Sequence, residues 1–196
     1  MPALQERISI ENIELAFYPA FYKEAEARNL FRDLRDEIDW KHQKINVFGK
    51  EYRQPRLTNF YAENDFSYTY SNLKMQPEAF NGTLERVKRK VEDRTEVHFT
   101  SCLANLYRDG QDSNGWHSDD EKELGHNPVI ASLSLGATRR FKFRRKDNHR
   151  KQFEMDLSPG SLLIMKGETQ HFWQHQLPKT RQRKDPRINL TFRVIK

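Results

Sequence analysis

The stretch Arg187-Ile-Asn-Leu-Thr-Phe-Arg193 alternates so regularly that it reads as an extended strand and little else. Ile188, Leu190, Phe192 and Val194 fall on one face; Arg187, Asn189, Thr191 and Arg193 fall on the other, because successive side chains of a strand point to opposite sides. One face belongs to a core, and the other is polar and ordered. The same period of two runs through the second half of the chain. Val129, Ala131, Leu133 and Leu135 alternate with Ile130, Ser132 and Ser134, Phe141 and Phe143 with Lys142 and Arg144, and Phe153, Met155 and Leu157 continue the pattern. Gly136, the polar tip from Asp147 to Arg150, Pro159-Gly160 and Gly167 separate these strands at short intervals, as turns in an antiparallel sandwich or barrel do.

Upstream of about Ser101 the period changes. Phe31, Leu34 and Ile38 recur at helical spacing after Pro19, and Phe80, Leu84, Val87 and Val91 do so after Pro77, which predicts two helices packed on the sheet. The polar segment from Lys41 to Asp65, with scattered aromatics, reads as hairpins or loops at the mouth of a site. No repeat or long linker interrupts the chain, and 196 residues match one domain at roughly 100 to 200 residues each.

Lys and Arg outnumber Asp and Glu 34 to 28, for a net charge of +6. The excess clusters in Arg139 to Lys151 and Lys179 to Lys184, which points to a polyanionic partner, a solvated basic surface being the plainer alternative. Cys102 is the single cysteine, so no intrachain disulfide forms, in keeping with a reducing compartment. No apolar run approaches the roughly 20 residues that span a bilayer, and the acidic, polar start of the chain does not resemble a signal peptide. The expectation is a soluble intracellular protein, in cytoplasm and nucleoid or in a nucleus according to the organism, with no membrane association.

Chemistry enters with His117-Ser-Asp119. On a strand, residues two apart share a face and can share an ion. A third ligand is offered by His171 or His175 in His171-Phe-Trp-Gln-His175-Gln-Leu-Pro178, and two histidines with one carboxylate form the facial triad of non-haem Fe(II) oxygenases, which leaves positions open for substrate. The terminal strand adds a clamp. Six residues at about 3.3 Å each put the Cα atoms of Arg187 and Arg193 roughly 20 Å apart. Guanidinia reaching about 6 to 7 Å along the strand leave a gap suited to a short dicarboxylate held by bidentate bonds.

Six motifs together resemble the AlkB family of Fe(II)- and 2-oxoglutarate-dependent dioxygenases: Asn105-Leu-Tyr107-Arg-Asp-Gly110, His117-Ser-Asp119-Asp-Glu121, Ser132-Leu-Ser-Leu-Gly136, Gly160-Ser-Leu-Leu163, His175-Gln-Leu-Pro178 and Pro186-Arg-Ile-Asn-Leu-Thr-Phe-Arg193. The resemblance covers nearly the whole chain. It implies an α+β, mainly β fold: a double-stranded β-helix, or jelly roll, with N-terminal helices and a nucleotide-recognition lid. As one domain over residues 1–196, this places helices and lid at about 1–100 and the catalytic core at about 101–196. It implies His117, Asp119 and His175 as Fe(II) ligands, with His171 left as a core or supporting histidine. Arg187 matches the residue that holds the distal carboxylate of 2-oxoglutarate, assisted by Asn105 and Tyr107. Asn189 and Arg193 match those near the carboxylate that chelates iron.

The activity implied is oxidative demethylation of N-alkylated bases such as 1-methyladenine and 3-methylcytosine in DNA, consuming 2-oxoglutarate and O2 and releasing formaldehyde, succinate and CO2. Such lesions are cationic, so a carboxylate near the pocket favours them, and Asp120 is the candidate. A base in a duplex must be flipped out, leaving a gap in the stack. Phe48, in Val47-Phe-Gly49, resembles the intercalating hairpin of duplex-preferring relatives, whereas Gln54-Pro-Arg-Leu57 is similar to the single-strand-preferring ones. Tyr68-Thr-Tyr70-Ser71 resembles the lid strand, with Tyr70 the aromatic that stacks on the flipped base. The partner expected is alkylated DNA, single- or double-stranded, met by a monomer. Methylated RNA or another oxygenase substrate is the first alternative. A catalytically silent nucleic-acid-binding module is the second, and it predicts a broken triad or clamp.

Overall fold

Alternating strands with one apolar face must stack that face on something, and here one large sheet covers two cores. The computed structural model describes residues 6–47, 50–63, 68–70 and 73–196. In chain order the elements begin with β1 (Glu6–Ile10), β2 (Ile13–Tyr18) and α1 (Glu24–Glu37). Five short strands follow: β3 (Lys44–Val47), β4 (Lys50–Arg53), β5 (Leu57–Ala62), β6 (Tyr68–Tyr70) and β7 (Leu73–Met75). After α2 (Gly82–Thr95) come β8 (Ser101–Tyr107), β9 (Asn114–His117), β10 (Ile130–Gly136), β11 (Arg139–Arg145), β12 (Gln152–Leu157) and β13 (Ser161–Lys166). The chain then runs through the short α3 (Thr169–Phe172), β14 (Trp173–Leu177) and β15 (Arg187–Arg193).

The main sheet has the order β1-β2-β13-β10-β15-β8-β5 and faces a four-stranded sheet of order β12-β11-β14-β9. Neighbouring strands in both sheets are antiparallel. This is the expected jelly roll. On the outer side of the main sheet, Leu133, Ile188, Leu190 and Phe192 pack with Leu34 of α1 and Leu84, Val87 and Val91 of α2. Between the sheets, Leu103 and Leu163 meet Phe141, Phe143, Trp173 and Leu177. Central strands β8 and β15 are therefore buried along their whole length. The polar face of β15 looks into the space between the sheets, not into water.

The two helices form where their apolar spacing predicts, with shorter ends. Ile38 is extended and stops α1 at Glu37; Phe80 precedes α2, which closes on Glu96 in the left-handed region. Glu24 and Glu26 in the first turn of α1 and Arg35 in its last complement the helix dipole. Gly136 at the end of β10 also has a left-handed φ of +82°, and a Cβ there would strike the carbonyl oxygen of Pro186 and the Phe31 ring.

Three strands of the main sheet, β1, β2 and β5, come from the first hundred residues. The first hundred residues, expected to hold helices and lid, thus also contribute strands to the main sheet of the single domain. β2 carries a legible alternation, with Ile13, Leu15 and Phe17 joining the inner core. β5 does not, because polar Thr58 and Asn59 are buried beside Phe60 and Tyr61. Elsewhere in this region β3 pairs with β4, and β6 pairs with β7 through Tyr68↔Met75 and Tyr70↔Leu73. Phe48 and Ser71 lie outside the described residues. Among the described residues, no helix is long and apolar enough to cross a membrane.

Candidate metal and co-substrate site

His117 and His175 are direct cross-strand partners in the β9–β14 pair, so their side chains share one face, and their ring centroids are 4.2 Å apart. Asp119 joins them by a different route from the one its spacing predicts. β9 ends at His117, and Asp119 lies two residues beyond it, where the chain turns off the strand in an irregular segment before the 3-10 helix Lys122–Leu124. There its backbone N–H donates to Gln170 Oε1 at 2.9 Å, and its Oδ1 accepts from Arg193 Nη2 at 2.6 Å. One candidate ligand atom from each of His117, Asp119 and His175 lies within 4.8 Å of the other two. Triad convergence rests on a held turn as much as on strand alternation.

These groups are in the protonation states a cation needs. His117 Nδ1 is 2.8 Å from the Gly115 carbonyl oxygen, to which it donates. Nε2 is then the ring's lone-pair nitrogen, the second-sphere arrangement usual for metal-binding imidazoles. Burial lowers the pKa of His117, and burial together with His117 pushes His175 down to about 3. Both rings are therefore neutral at physiological pH. Burial opposes ionisation of Asp119, yet Arg193 and the two histidines hold its carboxyl down at about 2. Its Oδ2 is buried without a hydrogen-bond partner, 3.8 Å from His175 Nε2. A buried carboxylate oxygen left bare is costly. A divalent ion held by Oδ2 and two neutral imidazoles removes that cost, so the residues fit a metal.

The same pocket is lined also by Asn105, Tyr107, Arg187, Asn189 and Arg193. Register explains the grouping. Arg187 stands opposite Tyr107 and Asn189 opposite Asn105 on β8, with Ser134 opposite Asn189 on β10. Arg187 is 2% exposed. Its Nη2 donates to Ser134 Oγ at 2.8 Å, its guanidinium lies 5.3 Å from the Tyr107 ring centroid, and its Nε has no hydrogen-bond partner. Burial pushes its pKa down to about 10, with no carboxylate opposing the shift. A buried cation without its anion is destabilised, and the open side faces the pocket.

The two ends of the polar face of β15 therefore differ. The tip of Arg193 is on Asp119, whereas Arg187 is open. Asn189 donates to Ser132 Oγ at 2.8 Å and accepts from Thr191 Oγ1 at 3.0 Å. Asn105 accepts from Arg56 Nε at 2.8 Å. Sequence reasoning gave no site role to Ser132, Ser134 or Arg56, although each falls in a quoted motif, and none to Gln170. The alternation of Ser132 and Ser134 in β10 was a usable signal; Gln170 carries none.

Other candidates stand apart. Asp120 pairs with Lys146 at 2.7 Å on the surface. His171 accepts from the Asn127 N–H at 3.4 Å and lies 4.8 Å, ring to ring, from His126, outside the ligand cluster. The basic run from Arg139 to Lys151 is mostly engaged internally. Buried Arg139 donates to the carbonyls of Asp109, Asp112 and Pro178. Arg140 bonds Asp156 and Glu154, Arg145 bonds Asp147 and Glu11, and Lys151 bonds Glu11. Arg144 stacks on Trp116 at 4.4 Å. Acidic β12 lies beside β11, so this run is not the free polyanion surface its sequence predicts. In the second run, Lys179, Arg181 and Arg183 are exposed, and that run forms no ion pair among the described residues.

A family model described as the 2OG-Fe(II) oxygenase superfamily matches residues 14–193. The chain is 43% identical over 186 residues to "Alpha-ketoglutarate-dependent dioxygenase alkB homolog 3" of Bos taurus, covering 90% of this chain and 64% of that protein. It is 39% identical over 188 residues to "DNA oxidative demethylase ALKBH2" of Mus musculus, covering 91% and 79%. The chain spans 64 to 66% of the length of the alkB homolog 3 relatives it matches. The solved structure of OsALKBH1 superposes with a TM-score of 0.70 over 96% of this chain and 100% of that one, at 17% identity. That likeness speaks to the fold.

Proposed function

The chain belongs to the AlkB family within the 2OG-Fe(II) oxygenase superfamily, and on that premise we propose that it is an Fe(II)- and 2-oxoglutarate-dependent oxidative demethylase of N-alkylated bases in DNA, 1-methyladenine and 3-methylcytosine among them. The observation that carries the reading is Arg187: a buried guanidinium without a carboxylate partner, opening into the pocket that holds His117, Asp119 and His175.

Bound Fe(II) supplies O2 activation coupled to decarboxylation of 2-oxoglutarate, which oxidises an N-methyl group and frees formaldehyde alongside succinate and CO2. The residues supply the rest. His117, Asp119 and His175 would hold the ion, as two histidines and one carboxylate do in non-haem Fe(II) oxygenases. Arg187, steadied by Ser134 and Tyr107, receives the distal carboxylate of 2-oxoglutarate by charge-assisted hydrogen bonds. Arg193 keeps Asp119 ionised and oriented, and Asn189, beside it on the polar face of β15, would meet the second carboxylate of 2-oxoglutarate. Asn105, braced by Arg56, completes the co-substrate wall. Leu103, Phe141, Met165 and Leu177 close the apolar side and exclude water.

The DNA substrate is supported by the name of the ALKBH2 relatives. Tyr68 and Tyr70 of β6, with Ser71, are assigned the lid role over the flipped base, Tyr70 as the stacking aromatic, and Phe48 the role of the wedge in a duplex; Ser71 and Phe48 lie outside the described residues. Asp120, next to Asp119 and paired with Lys146 on the surface, is the carboxylate that favours a cationic lesion. The test is anaerobic reconstitution with Fe(II), admission of oxygen, and turnover on matched methylated single-stranded DNA, duplex DNA and RNA, with formaldehyde and succinate quantified. Both products in equal amounts on DNA are expected. Absence of both on every substrate overturns the oxygenase reading, and products on RNA alone move the substrate to RNA.

A further inference from the structure

Gln170 is fully buried and has no part in the scheme above. We propose that it is a positioning residue for the metal centre, fixing the turn that carries Asp119, and that Lys146 braces the same turn from outside. The inference rests on the reading of His117, Asp119 and His175 as a divalent-metal site.

With β9 ending at His117, no strand ladder holds the backbone at Asp119. The Asp119 N–H is held instead by Gln170 Oε1 at 2.9 Å. A backbone N–H can only donate, so the amide orientation is forced: oxygen toward Asp119, nitrogen toward Met165 Sδ at 3.6 Å. Flipping the amide would set donor against donor in a buried site and leave both unsatisfied. Gln170 lies on α3, five residues before His175, which β14 delivers to the same ion. One segment thus supplies the third ligand and holds the turn of the second.

Lys146 closes the bracket. Its Nζ donates to the Gln170 backbone oxygen at 2.8 Å and to Asp120 Oδ2 at 2.7 Å. The end of β11, α3 and the ligand turn are tied together at one ammonium. Asp119 Oδ1 is already taken by Arg193, so the direction of the free Oδ2 depends on where the backbone sits. Outer-sphere partners of this kind typically change metal affinity about 10- to 100-fold.

The test is Mn2+ titration of the chelator-stripped full chain, counting free Mn2+ by EPR, with the visible bands of the Co2+ form and the melting of the apo-protein recorded alongside. Gln170→Leu is expected to weaken Mn2+ binding about 10- to 100-fold and to alter the Co2+ bands. Gln170→Glu, which keeps an acceptor oxygen at the same reach, is expected to bind Mn2+ at or above the parent's affinity. Lys146→Met, a surface change that leaves the fold intact, is expected to weaken Mn2+ severalfold with an unchanged apo melting temperature. This variant decides the matter if Gln170→Leu does not fold. Parental Mn2+ affinity in Gln170→Leu, or in Lys146→Met where that variant decides, overturns the proposal; so does equal loss in the Leu and Glu variants. A parent that binds Mn2+ no better than His117→Ala instead overturns the metal reading on which the proposal stands.

Discussion

Arg193 Nη2 meets Asp119 Oδ1 at 2.6 Å, with both side chains at least 97% buried. A guanidinium at one end of the last strand therefore serves Asp119, the proposed metal ligand, and Arg187 at the other end is the buried cation without a carboxylate partner, proposed to take the co-substrate. The two arginines should fail differently. Arg187→Ala is expected to raise the KM for 2-oxoglutarate by about 10- to 100-fold, the loss of charge-assisted bonds of roughly 1.5 to 3 kcal/mol, with metal affinity kept. Arg193→Ala is expected to weaken the metal itself and to lower stability by about 3 kcal/mol or more, since it strands a buried carboxylate. Calorimetric titration with each ligand separates them, and identical losses in both variants would refute the division.

Removing any one of three ligands leaves two to hold the ion. His117→Ala, Asp119→Ala and His175→Ala are each expected to abolish turnover and saturable metal binding, whereas His171→Ala, beside His126, retains both. The ligand assignment is wrong if metal survives in His175→Ala and is lost in His171→Ala.

His175 gives the apo-protein a pH signature. Its folded-state pKa of about 3 lies below the ordinary 6.5, so between these values the unfolded chain binds a proton that the folded chain refuses. Stability therefore rises with pH across that window and is lost as pH falls from 6.5 toward 3, at up to about 1.4 kcal/mol per pH unit. Urea unfolding of the apo-protein at a series of pH values should show this slope, and His175→Gln should flatten it. A parent without the slope would place His175 in contact with water.

Binding of DNA should depend on salt mainly through the loop after β14. Each phosphate neutralised adds roughly 0.7 to 0.9 to the slope of log K against log salt. Replacing Lys179, Arg181, Arg183 and Lys184 by Ala is expected to flatten that slope. Replacing Arg140, Arg145 and Lys151, already paired with acids, should change it little. The opposite ranking would mean that those ion pairs open on DNA.

The terminal strand was legible from its residues alone, because alternation is local: a period of two assigns Ile188, Leu190 and Phe192 to one face and Arg187, Asn189 and Arg193 to the other before any partner is known. The helical spacing of Leu34 and of Leu84, Val87 and Val91 is local in the same sense, and the motif resemblance chose His175 over His171. What needed the tertiary structure was every relationship between elements. Thr58 and Asn59 hid β5, because a strand buried on both faces shows no alternation. The pairing of Arg193 with Asp119 spans 74 residues, and no spacing rule reaches across such a gap. The hold of Gln170 on Asp119, the register that sets His117 opposite His175, and the acids that silence most of the Arg139 to Lys151 run are likewise set by which strands lie side by side. Local chemistry determined which side chains could act; packing decided which of them meet.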